Sequence, residues 1–144
     1  MIYLDNSATT QVDKDVAMTA CEVMTEVYGN PSSPYLLGRD MFRRLTAARQ
    51  QVAQVIGAPT RQIFFTSGGT EANNLAIRGS VLAARAEGRN KGRIITTAIE
   101  HSSVLESCRS LEEDGYEVVF IRPRDGRIQA DDVILSLIHI SEPT

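Results

Sequence analysis

The feature that most constrains the fold is an alternation of short apolar segments with longer amphipathic segments, which begins at residue 62. The pattern predicts strands at residues 62–66, 93–97 and 117–121, and helices at 70–87 and 102–113. Apolar strands that alternate with helices are typical of a parallel sheet that is covered by helices. The sequence therefore predicts an α/β fold.

Two further helices are predicted before this alternation, at residues 11–27 and 38–56, because apolar residues recur there every three or four positions. A last helix is predicted to start at Ala130, and residues 135–144 are not expected to continue it. A parallel sheet of three strands would leave an edge strand unpaired. We therefore expect the chain to be part of a larger domain.

Composition and charge exclude several classes of function. Hydrophobic residues make up 42% of the chain and charged residues 23%, which is typical of a globular protein. The net charge is −3 without any basic block, so nucleic acid is not an expected partner. No apolar run approaches the roughly 20 residues of a membrane span, and the first residues do not resemble a secretory signal. We expect a cytoplasmic protein that does not bind membranes.

The two cysteines, Cys21 and Cys108, lie far apart and have no metal-ligand spacing with each other or with a histidine. No metal site is predicted. Both cysteines fall in predicted helices, so for each of them we predict a buried and unreactive thiol.

The sharpest local motif is the segment from Thr66 to Glu71, which carries two glycines and lies between a predicted strand and a predicted helix. Glycines allow a ligand to approach the backbone closely, and a helix start offers free N–H groups and a positive dipole end. The hydroxyl groups of Ser67 and Thr70 would add donors. A phosphate site fits this pattern, and so does a well-capped helix start with a tight turn.

A second candidate is His101, which follows the next predicted strand. If the two strands were neighbours, the imidazole would face the same crevice as the glycine turn. There it could stack on a flat ring or transfer a proton. A lone histidine before a helix can equally be a capping or surface residue.

Four motifs occur together in one order and spacing. They are YLDNSATT at 3–10, GNPSS at 29–33 with GR at 38–39, FTSGGTEANNLAI at 65–77, and EH at 100–101. Over roughly residues 1–133 the chain resembles the amino-terminal part of a cysteine desulfurase of the NifS/IscS type. These enzymes belong to the class V aminotransferase group, which uses pyridoxal 5′-phosphate.

The resemblance implies roles for three residues. Gly69 and Thr70 would hold the cofactor phosphate, and His101 would be catalytic, stacking on the cofactor ring and assisting proton transfers. The implied reaction converts L-cysteine to L-alanine and leaves a persulfide on a protein cysteine. The implied partners are a second subunit, in a full-length homodimer, and scaffold proteins that accept sulfur for iron–sulfur clusters.

The resemblance also implies a division of the chain. Residues 1–12 would contribute to a small domain, and residues 13–134 would be an incomplete large domain of the aminotransferase-like fold. Residues 135–144, which include His139, would be a non-native tail.

The lysine that carries the cofactor and the cysteine that accepts sulfur belong to later regions of the family. Lys14, Lys91, Cys21 and Cys108 match neither motif, so we expect these 144 residues to be inactive by themselves. The alternatives are a related class V aminotransferase or selenocysteine lyase, or a non-catalytic phosphate-binding module.

Overall fold

The computed structural model describes residues 2–89 and 92–138, and the chain divides into two compact units between Phe64 and Phe65. The predictions for Lys91 and His139 fall outside the described residues. Over the described ranges, no helix is both long enough and apolar enough to cross a membrane.

The described residues of the first unit form two α-helices, which confirm the two helices predicted before residue 57. Helix α1 spans Lys14–Thr25, and the Asp13 side chain caps it by accepting a hydrogen bond from the Asp15 N–H at 2.9 Å. Helix α2 spans Leu36–Ile56 and ends at Gly57, whose φ of 66° is a left-handed conformation that suits glycine.

The strand predicted at residues 62–66 is wrong. Thr60–Gln62 forms a short 3₁₀ helix, and the segment that follows belongs to neither strand of the described sheet. The Phe64 side chain is 71% exposed. An apolar segment becomes a strand only where a neighbouring strand pairs with its backbone groups, and the described sheet does not extend to this segment.

The second unit alternates helices and strands as predicted, which confirms the α/β class. Its elements are α3 (Gly69–Ala86), β1 (Arg93–Thr97), α4 (Ser102–Glu113), β2 (Glu117–Ile121) and α5 (Ala130–Ile138). The two strands are parallel, with Arg93 opposite Glu117 and Thr97 opposite Ile121. The described sheet therefore has two strands where the sequence predicted three.

The sheet lies between two helices. Helix α4 covers the face that carries Thr96 and Phe120, and Cys108 of this helix is buried beside Thr96. Leu111 of α4 is buried as well. Because side chains alternate along a strand, Arg93 lies on the opposite face. There it donates to the carbonyl oxygen of Ser136 in α5 at 2.6 Å and pairs with Glu117. Helix α5 continues to Ile138, beyond the predicted end of the helix, and this contact lies in its last turn.

Many apolar side chains in the described residues remain exposed. Val16 and Met24 on α1 are 59% and 71% exposed, and Leu75 and Leu82 on α3 are 55% and 61% exposed. The buried apolar residues among those described are Ala53, Cys108, Leu111 and Ile121. The amphipathic faces are therefore formed as the sequence predicts, but much of their apolar surface is not covered in this chain.

Candidate functional site

The start of α3 carries the glycine motif. The first helical hydrogen bond of α3 joins the Ala72 N–H to the Gly68 carbonyl oxygen at 3.1 Å. The N–H groups of Gly69, Thr70 and Glu71 therefore have no acceptor within the helix. No side chain of the described residues caps them. These three N–H groups are available to an anion.

Ser67 does not add a free donor, contrary to the prediction. Its N–H and its hydroxyl both donate to one carboxylate oxygen of Glu71, Oε2, each at 2.6 Å. The hydrogen bonds from the Ser67 hydroxyl and then from its N–H hold the pKa of Glu71 below its ordinary value of 4.5. Glu71 is therefore charged at neutral pH, and the Ser67 proton is committed to it.

The space in front of the glycines is open. A Cβ atom built on Gly68 or Gly69 would meet no atom within 4 Å. The Thr70 side chain is exposed, and its hydroxyl has no hydrogen-bond partner among the described residues. An open approach, free N–H groups and one free hydroxyl fit a phosphate group.

His101 caps the start of α4. Its Nδ1 atom accepts a hydrogen bond from the Ser103 N–H at 3.1 Å and lies 2.9 Å from the Ser103 hydroxyl. Because β1 ends at Thr97, the imidazole follows the carboxyl end of a strand, as the sequence predicted. The side chain is exposed, so its second ring nitrogen, Nε2, is accessible.

The starts of α3 and α4 lie side by side. The two helices pack against each other, and Thr70, Ser102 and Ser103 line one groove of about 350 Å³. The Asn73 side chain also donates to the Ser103 hydroxyl at 2.8 Å. The sequence predicted this proximity from neighbouring strands, but the packing of the two helices is what produces it.

A sequence model of the family described as "Aminotransferase class-V" matches residues 2–141 of the chain. The chain belongs to this family. The resemblance inferred from the four motifs is thus confirmed.

Relatives and solved structures agree with this membership. The chain is 43% identical to a cysteine desulfurase of Nostoc sp. strain PCC 7120 over 138 residues, and 43% identical to the cysteine desulfurase IscS of Methanosarcina thermophila over 134 residues. These matches cover 95% and 92% of the chain, but 34% and 32% of the relatives. The chain thus spans about a third of the length of these class V proteins.

Two solved structures share the fold. One is described as a NifS-like protein, with a TM-score of 0.75 and 39% identity over 83% of this chain and 32% of that chain. The other is described as SspA in complex with cysteine, with a TM-score of 0.80 and 35% identity over 91% of this chain and 37% of that chain. The α/β class and its aminotransferase-like character are confirmed.

Sequence reasoning about this class V chain missed two residues of the site, Asn73 and Ser103. Asn73 lies one helical turn after Thr70, so it shares a face of α3 with the phosphate motif. Ser103 is a hydroxyl residue in the first turn of the helix that His101 caps. Helical spacing from each motif residue is the signal that could have identified both.

The two cysteines differ in exposure. The prediction of a buried thiol is therefore confirmed for one of them and wrong for the other. Cys108 is 1% exposed, as predicted, whereas Cys21 is exposed, because α1 buries none of its residues. Burial raises the pKa of the Cys108 thiol, and a hydrogen bond with Thr96 opposes that effect to a smaller degree. Cys108 is therefore held as an unreactive thiol.

We expect the folded chain to react with Ellman's reagent at one thiol only. Cys21 should react at once, and Cys108 only after denaturant is added, because the reagent attacks an accessible thiolate. The Cys21→Ser variant should lose the fast reaction. Prompt labelling of Cys108 in that variant would contradict the buried position of this thiol.

Proposed function

We propose that the chain is part of a pyridoxal-phosphate-dependent cysteine desulfurase, which converts L-cysteine to L-alanine and transfers the sulfur to a protein cysteine. The observation that carries the proposal is the adjacency of two helix starts, one with free N–H groups at Gly69 and Thr70 and one capped by His101. The names of the relatives, and a similar solved structure described as a complex with cysteine, support this activity.

Gly69 and Thr70 would bind the phosphate of the cofactor. The Gly69 and Thr70 N–H groups and the Thr70 hydroxyl supply the donors, and the lack of side chains at Gly68 and Gly69 leaves room for the phosphate. The carboxylate of Glu71 accepts hydrogen bonds from the N–H and the hydroxyl of Ser67, and these two donors stabilise its negative charge. When bound, pyridoxal phosphate supplies an electron sink for the chemistry at the amino acid.

His101 would act at the ring of the cofactor. Its exposed imidazole can stack on a flat aromatic ring, and its Nδ1 atom is occupied by the backbone of α4. Nε2 is then the atom that holds a proton toward the reacting groups. This assigns His101 the catalytic role in the part of the site that this chain provides.

The wider assignments concern the whole enzyme. We propose a cytoplasmic homodimer that delivers sulfur to scaffold proteins for iron–sulfur cluster assembly. Residues 1–12 would contribute to a small domain and residues 13–134 to the cofactor-binding domain. Residues 1–144 are expected to be inactive alone, since neither cysteine matches a sulfur-accepting motif. The names of the relatives favour this proposal over an aminotransferase, a selenocysteine lyase or a non-catalytic phosphate module.

The phosphate site can be tested in this chain with pyridoxamine 5′-phosphate, which has no aldehyde to react with Lys14 or Lys91. We expect binding to shift the amide resonances of Gly69 and Thr70. The Thr70→Val variant should bind about tenfold more weakly or worse, because a hydrogen bond to a charged group is lost. Titrations followed by ¹H–¹⁵N correlation spectra measure both effects.

Three controls separate the hydroxyl from other effects. Thr70→Ser retains the hydroxyl and should bind like the parent chain. Thr46→Val makes the same change in α2, where the hydroxyl bonds the Phe42 carbonyl oxygen, and should not weaken binding. Pyridoxamine without phosphate should shift neither amide. Equal affinity of Thr70→Val and the parent chain, or shifts confined to other residues, would refute the proposed phosphate site.

A further inference from the structure

Three side chains of the second unit form a continuous series of hydrogen bonds that ends at the imidazole of His101. Asn73 donates through Nδ2 to the Ser103 hydroxyl oxygen at 2.8 Å. That oxygen lies 2.9 Å from Nδ1 of His101, and the Ser103 backbone N–H donates to the same Nδ1 atom at 3.1 Å. This series of hydrogen bonds links α3 to the start of α4 across 30 residues of sequence.

The directions of these hydrogen bonds follow from the chemistry of each group. An amide nitrogen can only donate, so the Ser103 oxygen accepts from Asn73 and keeps its own proton for another acceptor. A backbone N–H can only donate as well. Two donors, the Ser103 N–H and the Ser103 hydroxyl, therefore converge on Nδ1 of His101, and a neutral ring in this arrangement carries its proton on Nε2.

We propose that Ser103 and Asn73 are positioning residues that fix His101 as the Nε2–H tautomer and fix the orientation of its ring. The inference deepens the proposed function, because it rests on His101 acting at the cofactor ring. A ring held in this form presents a hydrogen-bond donor, not a lone pair, at its accessible nitrogen.

Burial supports this role for the serine. Ser103 is 8% exposed and Asn73 is half-buried, whereas His101 is exposed. Water has little access to the Ser103 hydroxyl, so water does not readily replace the imidazole as its hydrogen-bond acceptor. The exposed His101 ring is thus held through its Nδ1 atom by the buried Ser103.

The test reads the tautomer directly in the ¹⁵N-labelled chain without any ligand. Long-range ¹H–¹⁵N correlations of the imidazole, recorded in alkaline buffer, give the ratio of the Nε2–H to the Nδ1–H form. The His139→Gln background leaves His101 as the one histidine of the sequence. We expect the Nε2–H form to predominate.

Two variants should shift the ratio by separate routes. Ser103→Ala removes the hydroxyl donor, and the ratio should fall about fivefold, the size expected for one neutral hydrogen bond. Asn73→Asp replaces the amide donor with a carboxylate acceptor, which should draw the Ser103 proton away from Nδ1 and lower the ratio similarly. Ser103→Thr retains the hydroxyl and should restore the parent ratio.

Ser107→Ala is the matched control. Its buried hydroxyl lies one turn further along α4 and donates to the Ser103 carbonyl oxygen at 2.6 Å, without touching the imidazole. It should leave the ratio unchanged. The inference is overturned if Ser103→Ala and Asn73→Asp both keep the parent ratio, or if Ser107→Ala lowers it equally. Since no cofactor is present, failure of pyridoxamine phosphate to bind would refute the proposed function and not this inference.

Discussion

Substitution of Gly38 by alanine is expected to destabilise the first unit by about 2–3 kcal/mol, the upper part of the range for overpacking. Gly38 is buried in the first turn of α2. An added Cβ would lie 2.4 Å from the carbonyl oxygen of Ser33 and 2.6 Å from that of Asn30. Both are backbone atoms of a tight turn, so neither can move aside as a flexible side chain would.

Gly79→Ala is the matched control, and it should change the free energy of unfolding in the opposite direction. Gly79 lies inside α3, and a Cβ there would meet no atom within 4 Å. Alanine should stabilise the helix by about 0.5–1 kcal/mol, because glycine loses more backbone freedom on folding. Urea unfolding, followed through amide resonances of each unit, measures both changes. Tolerance of Gly38→Ala would show that the turn does not pack on α2 in this way.

This contact explains the motif at residues 29–33 and 38–39. The Asn30 side chain accepts a hydrogen bond from the Ser32 N–H at 2.9 Å, and the Asn30 carbonyl oxygen accepts one from the Ser33 N–H at 2.9 Å. A Cβ on Gly29 would also lie 2.4 Å from the Leu37 carbonyl oxygen. The two glycines of the motif therefore serve close backbone packing between the turn and the start of α2.

The second large effect is expected for Leu111→Ala, which should destabilise the second unit by about 3 kcal/mol. Leu111 is 3% exposed, and it lies on α4, which packs against α3 and both strands. Alanine would leave a cavity beneath the helix that His101 caps. We therefore expect hydrogen exchange to accelerate along α4, and the proposed excess of the Nε2–H form of His101 to decrease.

Leu82→Ala provides the comparison. Leu82 on α3 is 61% exposed, so its truncation should change the free energy of unfolding by no more than about 0.5 kcal/mol. Chemical denaturation of both variants, read at α4 amides, measures the difference. Similar unfolding free energies for the two variants would mean that α4 is not anchored through Leu111.

Most of the local structure could be predicted from the sequence because its causes lie within a few residues. Helix α2 is specified by its apolar period and by Gly57, which ends it in a conformation that other residues rarely adopt. Strands β1 and β2 were predicted from short apolar runs. The open helix start at Gly69 and the position of His101 before α4 also follow from neighbouring residues alone.

Other features were decided by residues far away in the sequence. Residues 62–66 have the composition of a strand, but pairing requires a neighbouring strand, and the described sheet supplies none there. Cys21 lies on a helix as predicted, yet its exposure depends on what covers α1. The last turn of α5 contacts Arg93, whose side chain donates to the Ser136 carbonyl oxygen across 43 residues of sequence.

The sequence by itself determined the family, the α/β class and the two helix starts of the candidate site. The Ser67 hydroxyl donates to Glu71, four residues further along the chain, and this local contact leaves the Thr70 hydroxyl available. Only the tertiary structure joined Asn73 to Ser103, through a hydrogen bond between side chains 30 residues apart in the sequence. Periodicity and turn chemistry act locally along the chain, whereas the partner of a hydrogen bond is chosen by packing between distant segments.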